Sequence, residues 1–221
     1  EGLRLLVLQD SFLSGTLSME LAGLTELSTV YCKANAVSGT VPPQLAALGE
    51  MRELVLENTV LSGSMPTQLG ALSKLTHLDL GNTSLSGTVP TQLAKITTLT
   101  DMDFYNTSLI GTVPTQLGAT LQILELEAPS LSGIMPTQLA KITTLTALGL
   151  GGTLLSGTLP SSVGTLPALT FVDLYDMRLS GTVPASVLRH CQPFGPVQCD
   201  GLPPFSCAAF GLDRSRLSLT S

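Results

Sequence analysis

The stretch Leu75–Pro90, LTHLDLGNTSLSGTVP, recurs along the chain, and that recurrence constrains the fold more than any other feature. Reduced to L-x-x-L-x-L-x-x-T-x-L-S-G-T-V-P, it occurs in eight copies whose shared glycines are Gly15, Gly39, Gly63, Gly87, Gly111, Gly133, Gly157 and Gly181. The spacing is 24 residues except from Gly111 to Gly133, where it is 22. A unit of this size cannot bury an apolar face alone. A strict period therefore means a stack of units sharing a continuous core. Repeats one to eight begin at Leu3, Leu27, Met51, Leu75, Leu99, Leu121, Leu145 and Leu169.

Within each repeat, L-x-x-L-x-L sets two apolar residues two apart, which is the strand period. Leu78 and Leu80, Met102 and Phe104, and Leu124 and Leu126 read as inward-facing, on strands that lie parallel to their neighbours. The S-G-T-V-P segment turns the chain away, because glycine is permissive and proline fixes φ and gives up a donor. The stretch that follows carries apolar residues at i and i+3, as at Leu93 and Ile96, which suits a short 3₁₀ turn. The shortened copy lacks two residues at Gly118-Ala119-Thr120-Leu121, on the outer side of the coil, where length changes are tolerated.

Hydrophobic residues make up 43% of the chain and charged ones 12%, enough apolar material for a continuous core. A net charge of −6 excludes nucleic acid as the expected partner, since phosphate binding needs a basic face. No apolar run nears the roughly 18 residues of a membrane span. The chain opens at Glu1 without an initiator Met or signal peptide, as expected of a processed or truncated product.

The repeats resemble the 24-residue leucine-rich repeat of the plant-specific class, found in plant receptor-kinase ectodomains and polygalacturonase-inhibiting proteins. The likeness runs from Leu3 to about Val187. It implies an α/β solenoid, a twisted horseshoe with a parallel concave β-sheet and a second short sheet at L-S-G-T-V. The sequence departs from the family where Asn is usual. That place holds Thr59, Thr83, Thr107 and Thr153, or Ser11, Pro129 and Met177, and only Asn35 keeps the amide. Hydroxyls are then expected to satisfy the buried loop carbonyls.

Residues 1–188 are read as the solenoid and 189–221 as a C-terminal cap and tail. Cys191, Cys199 and Cys207 in the cap are three, so at most one bridge forms among them. A disulfide-clasped cap places the protein outside the cell, secreted, or in another oxidising lumen. Cys32 falls on a core position and reads as a buried thiol. No cap precedes Leu3, so that edge is expected to be covered by an upstream segment or another chain.

Residues between the inward leucines face solvent on the concave sheet. These positions, with the one following them, hold ten of the sixteen acids and all three tyrosines, against Lys33 alone among Lys and Arg. The candidate partner-binding residues are Tyr31, Glu53, Glu57, His77, Asp79, Asp101, Asp103, Tyr105, Glu125, Glu127, Phe171, Asp173 and Tyr175. Asp79, Asp103 and Glu125 fall on consecutive strands about 4.8 Å apart. Three carboxylates in a row repel and are relieved by a cation, either a partner's Lys or Arg or Ca²⁺, which favours oxygen ligands. The plainer alternative is a solvated acidic face that only confers solubility. Repeat seven offers Ala147, Gly149, Gly151 and Gly152, which predicts a shallow slot between Glu125/Glu127 and Phe171/Tyr175.

No Ser or Cys nucleophile joins His77, Asp79 and Asp101, and an open sheet excludes water poorly, so no enzyme and no cofactor are expected. Carboxylates about 5 Å apart suit a retaining glycosidase, but here that distance is the strand spacing. A second array follows the shared glycines: Thr16, Thr40, Ser64, Thr88, Thr112, Thr158 and Thr182, with Ile134 the exception. A plant antifreeze protein is similar to the polygalacturonase inhibitors, which makes ice binding through this array an alternative. Asn82 and Asn106 head N-x-S/T triplets, candidate glycosylation sites. The function these features support is a non-catalytic recognition module binding a basic protein partner through the acidic concave face. A structural subunit docked in a larger assembly by its N-terminal edge is the other alternative.

Overall fold

The computed structural model describes residues 2–182, 184–188 and 217–218. Two eight-stranded sheets run the length of the stack, and every pairing in them is parallel between consecutive repeats. The concave sheet is made of three-residue strands: Leu5–Val7, Thr29–Tyr31, Glu53–Val55, His77–Asp79, Asp101–Asp103, Ile123–Glu125, Ala147–Gly149 and Phe171–Asp173. The second sheet is built from the x-L-S-G segments, from Ser14–Thr16 to Arg178–Leu179. This is the horseshoe with two sheets that the resemblance implies. The cap cysteines Cys191, Cys199 and Cys207 lie outside the described residues.

The core lies between the sheets and is leucine stacked on leucine. Leu78, Leu80, Leu124 and Leu126 are each 0% exposed, and Met102 and Phe104 fill the same layers. Cys32 is a free thiol, 2% exposed, whose burial pushes its titration upward. A 3₁₀ turn closes the outer side of most repeats, as at Pro43–Ala47, Thr67–Ala71, Thr91–Lys95 and Thr137–Lys141. Repeat five has none among the described residues. Its two missing residues shorten the outer wall while the inner strands Asp101–Asp103 and Ile123–Glu125 stay in register.

The threonines in the usual asparagine place do satisfy buried carbonyls, but locally. Thr59, Thr83, Thr107 and Thr153 donate to the carbonyls of Leu56, Leu80, Phe104 and Leu150, three residues earlier, at 2.8–2.9 Å. Asn35 is long enough to cross to the preceding repeat. It donates to the Leu8 carbonyl at 2.6 Å and accepts from the Ser11 and Leu13 N–H groups. Replacing the amide by a hydroxyl therefore keeps the loop bond and gives up the tie between repeats. At the strand entry, Ser28, Thr76, Thr100, Thr146 and Thr170 each donate to a carbonyl of the previous repeat, whether or not that repeat keeps the asparagine.

Candidate functional site

The concave face is built in three columns. The strand register sets Glu53 against His77 against Asp101, and Asp79 against Asp103 against Glu125. The expected row of carboxylates is therefore present. Its exposure is not as expected, since Asp79 is 9% exposed. The Asp79 carboxylate curls onto its own backbone and accepts from the Gly81 N–H at 3.0 Å. Asp103 and Asp173 do the same with the Tyr105 and Tyr175 N–H groups, at 3.0 and 3.1 Å.

Crowding of half-buried acids shows in their titration. Burial, joined by the charges of Asp79, Glu125 and Glu57, pushes Asp103 up to about 7. Burial and the nearby Asp173 and Glu125 push Glu127 up to about 7. Asp79 and Glu125 move in the same direction, again mainly from burial. Burial, with neighbouring acids adding to it, makes these groups resist ionisation, and a cation brought to this face relieves them.

The slot expected at repeat seven is occupied. A Cβ placed on Gly151 would stand 2.2 Å from Tyr175 Cδ1 and 2.3 Å from Cε1, so the edge of that ring fills the space beside the glycine. Tyr105 covers Gly81 in the same way, with ring atoms 2.4 Å from such a Cβ. Its hydroxyl then reaches a second repeat back and donates to Glu57 Oε1 at 2.7 Å. Burial and that carboxylate push the Tyr105 phenol up to about 12. Tyr31 is paired with Glu53 on the adjacent strand. His77 Nδ1 lies 3.7 Å from Asp101 Oδ2, an ion pair when the imidazole is protonated. Phe171 stands in the first column of the last concave strand, away from the Tyr31–Glu53 pair at the other end.

Sequence reasoning followed the middle column, Asp79, Asp103 and Glu125, and missed the pattern in the third. The third column reads Gln9, Lys33, Glu57, Gly81, Tyr105, Glu127, Gly151, Tyr175. Glu-Gly-Tyr occurs twice, each member 70 residues from its equivalent. Reading one outward position down the stack would have found it.

At the strand exits, Asn58, Asn82 and Asn106 take positive φ, 55°, 49° and 48°. Their side chains form a ladder in which Asn106 donates to Asn82, Asn82 to Asn58, and Asn58 to Glu57. Both sequon amides, Asn82 and Asn106, are thus engaged as donors. On the second sheet the hydroxyl column is exposed, and its threonine methyls nest on the next repeat's glycine. Thr88 Cγ2 lies 3.0 Å from a Cβ position on Gly111, which itself runs at φ 84°. Ile134, 71% exposed, interrupts the column.

Among the described residues no group of three or more His, Cys, Asp or Glu is arranged to hold a metal ion, and no helix is long and apolar enough to cross a membrane. The leucine-rich-repeat family pattern matches residues 74–96. The plant peptide hormone receptor RGFR1, solved with RGF2, superposes with a TM-score of 0.79 at 29% identity, over 84% of this chain and 30% of the receptor chain. The Arabidopsis receptor kinase HAESA ectodomain, in complex with an extended IDA peptide hormone, gives 0.73 at 31% identity, over 84% and 36%. The chain has the leucine-rich-repeat solenoid fold and is similar to plant receptor-kinase ectodomains. This leucine-rich-repeat chain spans about a third of either receptor ectodomain. A plant ice-binding protein superposes with a TM-score of 0.68 at 25% identity, over 83% of this chain and 68% of its own. A search of curated proteins gave no match.

Proposed function

We propose that this leucine-rich-repeat protein is a non-catalytic recognition module that binds a basic polypeptide on its acidic concave face, outside the cell. The observation that carries the reading is the cross-strand row Asp79–Asp103–Glu125, whose acids titrate high because they are half-buried and, secondarily, because they crowd one another. Ammonium or guanidinium groups of a partner restore charge balance there. Support also comes from the receptor ectodomains it resembles, two of which were solved with peptide hormones. The face offers carboxylates and phenols but no paired nucleophile and base, which favours binding over catalysis.

The test neutralises charge on the concave face without burying a new one. Asp101→Asn, Asp103→Asn and Glu125→Gln together should weaken binding of a synthetic lysine-rich peptide at least tenfold, read by fluorescence anisotropy at low salt. Wild-type affinity should also fall as salt is raised, because exposed pairs are screened. Unchanged affinity in the triple variant would overturn the reading.

The exposed threonine column favours a second reading, ice binding, which the similarity to the plant ice-binding protein supports. Its break at Ile134 counts against it. Thermal hysteresis and ice-crystal shape separate the two readings, since a peptide-binding face leaves both unaltered.

A further inference from the structure

The concave face carries the same side-chain arrangement twice. Glu57, Gly81, Asp103 and Tyr105 are matched, 70 residues on, by Glu127, Gly151, Asp173 and Tyr175. The geometry around the glycine, aspartate and tyrosine is duplicated as well, whereas the hydroxyl bond to the glutamate is made by Tyr105. Each tyrosine ring lies against a glycine, and each aspartate Oδ1 sits beside that glycine, 3.3 Å from a Cβ position at Gly81 and 3.1 Å at Gly151. Each of these aspartates accepts from the N–H of its own tyrosine. First-column residues are not duplicated: Glu53, His77 and Asp101 correspond to Ile123, Ala147 and Phe171. Other outward positions have diverged while these four have kept their types.

Each ring meets its glycine through the Cδ1–Cε1 edge and keeps ring surface open to solvent, with Tyr175 42% exposed and Tyr105 partly so. A ring face attracts a cation by its quadrupole, and a carboxylate beside the ring adds to the attraction. Each station therefore suits one Lys or Arg side chain. The two rings lie three strands apart in one column, about 14 Å at the strand spacing of a sheet. An extended chain advances about 3.3 Å per residue and points alternate side chains to opposite sides. Four residues cover about 13 Å and return to the same side, whereas three cover too little and face away.

We infer that the concave face reads an extended polypeptide lying across its strands through two cationic side chains four residues apart, one on Tyr105 and one on Tyr175. This rests on the recognition reading above and adds its register. Burial of the acids flanking the two stations, with Asp103 and Glu127 both titrating near neutrality, means that each cation docks against carboxylates it helps to ionise.

The experiment uses the full chain and synthetic Gly/Ser decapeptides carrying one Lys, or two Lys at i,i+3 or i,i+4, with affinity read by calorimetry. The i,i+4 peptide should bind about tenfold tighter than either control, since two linked contacts act together. Tyr175→Leu should reduce it to the single-Lys level, and Tyr175→Phe, which keeps the ring, should retain the preference. Circular dichroism of each variant shows that the fold is retained. Two-Lys peptides that bind equally at either spacing would overturn the register and leave the recognition reading standing. Failure of every basic peptide to bind would overturn both.

Discussion

At the scale of single residues, the acids of the concave face make folding and binding respond oppositely to pH. Asp103 and Glu127 titrate at about 7 in the folded chain, against ordinary values of 3.8 and 4.5. The folded protein therefore holds more protons than the unfolded one between about pH 4 and pH 7, and stability falls as pH rises through that window. Urea unfolding should give a higher midpoint at pH 5 than at pH 8. Asp103→Asn with Glu127→Gln should flatten the difference, and a wild-type midpoint that rises with pH contradicts the assignment. A basic ligand favours the ionised acids, so its affinity should instead rise over the same range, with protons released on binding.

At the scale of elements, the contacts between repeats are set by where side chains are missing. A Cβ on Gly70 would stand 2.5 Å from the backbone oxygen of Gln92 in the next 3₁₀ turn, which has nowhere to go. A Cβ on Gly81 meets side chains alone, the Tyr105 ring and, at 3.3 Å, Asp103 Oδ1, and the ring can swing out. Gly70→Ala should therefore cost roughly 2–3 kcal/mol as an overpacked contact. Gly81→Ala should lose the Tyr105–Glu57 bond, worth about 1–2 kcal/mol, and recover part of it from the stiffer unfolded chain. Gly49→Ala, whose Cβ would meet nothing within 4 Å, is the control. Thermal melts rank the three.

The same scale shows what the sequence made legible. Period-two leucines at Leu78 and Leu80 and the repeat spacing were enough to fix strands, parallel pairing and the outward columns, because alternation alone decides which side chain faces which way. Tyr105 was not so legible. Its direction depends on the empty place left by Gly81 one repeat away, and its hydroxyl partner Glu57 is 48 residues distant. Asp79 was read as solvated because alternation gives a side chain's face and not how neighbours close around it. Thr83 was read correctly as a carbonyl donor, but its short reach keeps the bond inside its own repeat.

At the scale of the whole molecule, the stack is continuous inside and interrupted outside. The 3₁₀ turns of repeats one to four adjoin one another, and Thr137–Lys141 begins again after repeat five, which lacks one. A solenoid's stability is a sum over neighbouring interfaces, so the interface with least outer-wall contact is where opening starts. Hydrogen exchange should show residues 112–122 exchanging faster than their equivalents in repeats four and six, and limited proteolysis should nick there first. Uniform protection along the outer wall would argue for a single cooperative unit.

The bridge from Tyr105 over Gly81 to Glu57 also bears on how the horseshoe takes a load. Flattening a curved stack spreads its inner strands. A side chain anchored on one strand and fastened two strands away acts as a tendon across the bend. Arching and relaxing should then be asymmetric along the arc, stiffest across repeats three to five. A ligand cation that draws Glu57 away from the phenol would slacken that tendon, so occupancy of the face would be felt as a change in curvature.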